Sequence, residues 1–204
     1  MQNKILKHFS LAISYIFHPL FVNFFIAIII LYCHPLLRGK LDFAQLSKIG
    51  LLLLITLIGI PILALNTFKR AGYISSFHLP NQKERFLPFI FIAALLAISA
   101  YQIWDGSFNT VAIMILCSAI ALFVNASLLT FTKASVHTMA MAGGAAYFLK
   151  EGIYWQNNQF ILLACFFILF TGIVATSRLV LKAHNFKEIL IGLLIGILVI
   201  LCII

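Results

Sequence analysis

The sequence predicts an all-α fold, a polytopic transmembrane helical bundle of six to seven spans that occupies residues 1–204 as a single domain. Three observations carry that reading. Of the 204 residues, 63% are hydrophobic and only 9% are charged, whereas a soluble domain has about 25% charged residues. The apolar residues gather into runs that reach or approach the roughly 20 residues a helix needs to cross a bilayer. Only short polar intervals separate those runs, which leaves no room for a distinct soluble domain.

The runs fall at roughly 9–33, 46–67, 86–104, 108–131, 136–149, 159–176 and 187–204. The first follows Lys4 and Lys7, as a signal-peptide core would. It is too long for such a core and lacks a small-residue cleavage site, so it reads as an uncleaved first helix. His18-Pro19 and His34-Pro35, near its opposite ends, read as interfacial or kink features. Pro88 fits the first turn of the third span, and Ser135 fits the N-cap of a helix that begins near Val136. Gly192 and Gly196 form a GxxxG in the last span, the pattern of a helix-packing face. Cys33, Cys117, Cys165 and Cys202 lie in or beside apolar runs without metal or disulfide spacing, and read as small buried hydrophobes.

The net charge of +9 does not indicate nucleic acid, because such binders group Lys and Arg on a folded, water-facing surface. Here the basic residues sit in loops between spans, where membrane topology and anionic head groups account for them. If the loops alternate, one face carries Lys4, Lys7, Lys69, Arg70, Lys83, Arg85, Lys133, Arg178, Lys182 and Lys187. The other carries only Arg38, Lys40, Lys48 and Lys150. By the positive-inside rule the first face is cytoplasmic.

That first face also delivers polar residues to the entrances of three spans. These are Arg85 at the third, Lys133, Ser135 and His137 at the fifth, and Arg178, His184 and Glu188 at the last. Ionisable groups at membrane depth are costly, so each is a functional candidate. Arg178, Arg85 and Lys133 are cations suited to phosphate oxygens. His184 and Glu188 are four apart and share one helix face. A carboxylate there fixes the imidazole tautomer and leaves the other nitrogen as a nucleophile. His137 supplies a second imidazole able to protonate a leaving oxygen. Each residue also has a structural reading alone: a helix-surface pair, a snorkelling cation or a cap. It is the joint set that has the composition of a metal-free phosphoryl-transfer site.

The stretch SRLVLKAHNFKE, 177–188, resembles the third signature of the type-2 phosphatidic acid phosphatase superfamily: Ser-Arg, five residues, His, three residues, acid. KASVH, 133–137, resembles the second, with Ser135 and His137 in place and Val136 where the signature has Gly. KERFLP, 83–88, matches part of the first; His78 stands where that signature has Lys, and Lys83 or Lys133 is the substitute cation. The resemblance covers about 85–188. It implies that His184 becomes a phosphohistidine, that Glu188 holds it, and that His137 acts as general acid. It further implies that Arg178, Arg85, Lys133, Ser135, Lys83 and Ser177 surround the phosphate. The implied protein is an integral lipid phosphate phosphatase with no metal or other cofactor, in a bacterial inner (plasma) membrane. Its partners would be membrane lipids and a lipid phosphate or isoprenyl pyrophosphate substrate. Two alternatives stay open: a degenerate relative that binds lipid phosphate as a scaffold or carrier, and an unrelated small transporter.

Overall fold

The computed structural model describes residues 2–77, 79, 81–104 and 108–204; Met1, His78, Pro80 and residues 105–107 lie outside the described residues. Every regular element among them is helical. In chain order these are α1 (Gln2–Ile16), α2 (Pro19–Cys33), α3 (Phe43–Leu54), a π turn (Ile55–Gly59) and α4 (Ile60–Arg70). Then follow α5 (Gln82–Gln102), α6 (Asn109–Ser127), a 3-10 turn (Leu128–Thr130), α7 (Val136–Tyr154), α8 (Asn158–Val180) and α9 (Phe186–Ile203).

Five stretches are long and apolar enough to cross a membrane: Phe43–Arg70, Lys83–Gln102, Asn109–Thr130, Asn158–Val180 and Phe186–Ile203. A sixth arises if α1 and α2 count as one bent span. The single first helix expected over 9–33 is therefore corrected to two helices that meet at 48°. Pro19 is the cause: it has no N–H to extend α1, and its fixed φ suits the first position of a new helix. Phe43–Arg70, by contrast, bridges its own proline. Pro61 leaves the Leu57 carbonyl without its helical donor, and the chain widens just before it, with the Ile60 N–H reaching Ile55. Pro88, expected in a first turn, lies inside α5, which starts earlier at Gln82. The earlier start is held by Glu84, whose carboxylate accepts from Ser75 and Asn81.

The chain divides into two compact units, Met1–Val22 with Ser127–Ile204, and Asn23–Ala126, the boundaries falling inside α2 and at the end of α6. In the second unit α5 packs on α4 and the π turn. In the first unit α7 is the hub: it packs on both α8 and α9, and α1 packs on α8. α7 is not among the five long apolar stretches, since its apolar run ends at Lys150 and Glu151. Its Tyr147 and Phe148 are fully buried, and the Phe148 ring meets Phe160 and Phe167 of α8, each at 5.4 Å. On α8 and α9 large apolar side chains such as Leu162, Leu169, Leu194 and Leu198 face outward, as a lipid-facing surface requires.

The α7–α9 contact is backbone on backbone. A Cβ on Gly192 would lie 2.5 Å from the Ser135 carbonyl oxygen, and one on Gly196 would collide with the Met139 carbonyl. The GxxxG thus serves as a packing face, because only glycine lets the helices approach this closely. Replacing Gly196 with Ala is expected to cost about 1–3 kcal/mol through overpacking, read as a Tm several degrees lower in detergent. Gly172→Ala, at a position with nothing within 4 Å of the added methyl, is the matched control and should leave Tm unchanged or higher.

Candidate functional site

Four helix ends meet at one end of the first unit: the C-termini of α1 and α8, and the N-termini of α7 and α9. The loop from α8 to α9 is short because α8 closes in a Schellman turn. The Ala183 N–H reaches the Arg178 carbonyl and the Lys182 N–H reaches Leu179, with Lys182 in the left-handed region at φ 52. Reversal at Lys182 brings His184 back beside α7 within two residues.

Next in the chain, Asn185 caps α9 in a reciprocal box. Its side chain accepts from the Glu188 N–H at 2.9 Å, and Glu188 Oε2 accepts from the Asn185 N–H at 3.2 Å. The same Oε2 lies 2.9 Å from Nδ1 of His184, which also lies 3.0 Å from the Lys133 carbonyl oxygen. Carboxylate and carbonyl oxygens only accept, so the network assigns the hydrogen to Nδ1. A neutral His184 therefore carries its lone pair on Nε2. Its side chain is 2% exposed.

α7 is joined to α9 at this point. The Ser135 N–H donates to the Glu188 carbonyl at 3.1 Å, and the Thr138 hydroxyl donates to the Ser135 carbonyl at 3.1 Å. The Ser135 hydroxyl caps α7 by accepting from the Thr138 N–H. His137, the second residue of α7, is half-buried, with Nε2 3.2 Å from the Ser14 carbonyl oxygen. That partner only accepts, so here Nε2 is the donor and Nδ1 holds the lone pair of the neutral ring. The His18 ring stands edge-on to His137, centroids 5.5 Å apart. His137 lies within electrostatic reach of Arg178, His18 and His184.

Arg178, in the last turn of α8, is 7% exposed. Its Nη1 donates to the Ser14 hydroxyl at 3.3 Å, while its buried Nε has no acceptor among the described residues. The N-termini of α7 and α9, also at this end, add the positive ends of two helix dipoles. A guanidinium with donors to spare beside two helix N-termini can hold an anion with several oxygens.

The expected residues separate clearly. His184, Glu188, His137, Arg178 and Ser135 are brought together. Lys133 contributes its backbone carbonyl to His184. Ser177 is buried and turns its hydroxyl back to the Ile173 carbonyl at 2.8 Å. Arg85 and Lys83 belong to the other unit. There Arg85 is buried with Nε donating to the Leu79 carbonyl at 2.8 Å, and Lys83 is exposed in the first turn of α5. Two residues of the cluster had no site signal in the sequence, Ser14 and His18. The His-Pro pair marked a break, but nothing said that the break faces α7.

Along α7, α8 and α9, away from this end, runs an apolar groove of about 680 Å³ lined by Ala142, Leu149, Ile168, Leu193 and Ile197 among others. It begins five residues beyond His137 on α7 and five beyond Glu188 on α9, roughly 8 Å along each axis at 1.5 Å per residue.

No family model, no curated protein and no solved structure matches this chain.

Proposed function

We propose that this chain is an integral-membrane phosphatase that removes phosphate from a lipid phosphate or isoprenyl pyrophosphate through a phosphohistidine on His184. It is read as a member of the type-2 phosphatidic acid phosphatase superfamily, with six to seven spans as α7 is left out or counted. The observation that carries the reading is Arg178. A buried guanidinium with an unsatisfied Nε, no carboxylate partner among the described residues and two helix N-termini nearby is stable when an anion supplies the missing acceptors.

The neighbouring groups then take roles their hydrogens allow. Nε2 of His184 attacks phosphorus while the lipid oxygen departs, and Glu188 holds the charge that forms on the imidazole. His137, protonated, delivers a proton to that oxygen. Water then gives a proton back to His137 as its oxygen attacks phosphorus and the P–N bond breaks, which releases phosphate and restores both histidines. The Ser135 turn and the Lys133 loop flank the phosphate; Arg85, Lys83 and Ser177 stay proposed ligands on the resemblance alone. The apolar groove suits the hydrocarbon tail, which would keep the head group at the four helix ends.

A binding-only reading has one observation in its favour. The Glu188 contacts are also explained by helix capping, without any chemistry. Glu188→Gln separates the two, since glutamine keeps a capping box but not the carboxylate charge. The phosphatase reading expects metal-free phosphate release in detergent to fall about 10²–10⁴-fold in this variant at an unchanged Tm. An unchanged rate would reduce Glu188 to a cap.

His184→Ala should abolish release across a panel of lipid phosphates and pyrophosphates. Release that survives it would sink the phosphohistidine. Arg178→Lys should lose at least about tenfold in kcat/KM, because an ammonium cannot reproduce the planar fork. Lipid phosphate binding without release by the wild type would leave the scaffold or carrier reading.

A further inference from the structure

We infer that the C-terminal turn of α1 is a working arm of the anion site, with Ser14 as the positioning residue that holds Arg178 and His137 in register; the inference rests on the phosphatase reading above. Ser14 makes two contacts with two other helices. Its hydroxyl accepts from Arg178 Nη1 at 3.3 Å and its carbonyl accepts from His137 Nε2 at 3.2 Å. One buried residue on α1 thereby sets the spacing between the phosphate-binding cation of α8 and the proton donor of α7.

The carbonyl is available because the helix stops. In an uninterrupted α-helix the Ser14 carbonyl would accept the N–H of His18. Here that N–H turns to Tyr15 at 3.3 Å, and Pro19 has no N–H with which to carry α1 onward. The break leaves a helix-terminal acceptor, and the imidazole of His137 fills it. The result parallels the other histidine. Glu188 and the Lys133 carbonyl fix the hydrogen of His184 on Nδ1, and the Ser14 carbonyl fixes that of His137 on Nε2. His18, at the break, packs its ring edge-on against His137 and accepts the Leu20 N–H on Nδ1 at 3.4 Å, so the break also walls the imidazole it orients.

Capping alone would be met by any donor. The donors found on Ser14 are instead the two groups whose separation decides whether one phosphate can touch both. A change at Ser14 should therefore show in binding and rate with the fold intact.

The test uses the full chain in detergent, with phosphate release resolved into kcat and KM and with orthovanadate binding measured by titration calorimetry. Ser14→Ala is expected to raise both KM and the vanadate Kd about tenfold, the loss of roughly one hydrogen bond to a charged group, with Tm preserved. Ser14→Thr, which keeps the hydroxyl, should restore both. Pro19→Ala lets α1 continue and draw the Ser14 carbonyl back into the helix, so kcat should fall at least tenfold while the vanadate Kd stays within about twofold. Wild-type constants in Ser14→Ala, or a loss that Ser14→Thr fails to restore, would overturn the inference and leave Ser14 as packing. A wild-type kcat in Pro19→Ala would overturn the part played by the break. A wild type that neither releases phosphate nor binds vanadate overturns the functional reading itself, and this inference with it.

Discussion

Taking a guanidinium out of water costs several kcal/mol unless its charge and donors are met, and Arg178 is buried with one serine hydroxyl as its described partner. The rest of the first unit is arranged around that cost. The acceptor of Arg178, the Ser14 hydroxyl, is neutral, while the carboxylate of the cluster, Glu188, is engaged by His184 and by its own cap. Two helix N-termini add positive potential where a carboxylate would ordinarily be placed. An anion with several oxygens would meet the unsatisfied Nε, and a resident carboxylate would compete with it.

Holding four helix ends together requires that α7 and α9 approach more closely than ordinary side chains permit. Gly192 and Gly196 allow this, and the Ser135 N–H to Glu188 carbonyl bond fixes the axial register. Register matters because the His184 Nδ1 hydrogen is shared between a group on α9 and the Lys133 carbonyl just before α7. A slip of one helix along the other would break that pair and with it the tautomer that leaves Nε2 its lone pair.

Glu188 caps α9 and holds the His184 ring with the same oxygen. It is the third residue of α9, where Glu completes a capping box with Asn185. The same oxygen that accepts the Asn185 N–H accepts the His184 hydrogen. An aspartate here would be one methylene shorter. A glutamate reaches back over a full turn, so its extra methylene satisfies the cap without giving up the imidazole. The capping box of Asn185 and Glu188 accounts for an acid at this position by folding alone.

Composition and run length by themselves determined the all-helical class, the positions of the apolar stretches and the packing role of GxxxG, because each depends on residues close in the chain. His184 and Glu188 do meet, but not on one helix face as their spacing suggested: His184 precedes the Asn185 cap of α9, and the Glu188 side chain reaches back to it. Tertiary structure alone decided which distant residues share a site. The His18–Pro19 pair announced a break, yet only the packing of α1 on α8 turned Ser14 toward Arg178 and His137. The cation of Lys133 was expected to matter and its carbonyl is what His184 meets, a distinction no side-chain pattern encodes. α7 ended as a buried hub because its Gly- and Ala-rich run suits close contact with two neighbours. Periodicity reports which face of a helix is apolar; which partner that face meets, and at what register, is settled by contacts between segments about 50 to 160 residues apart.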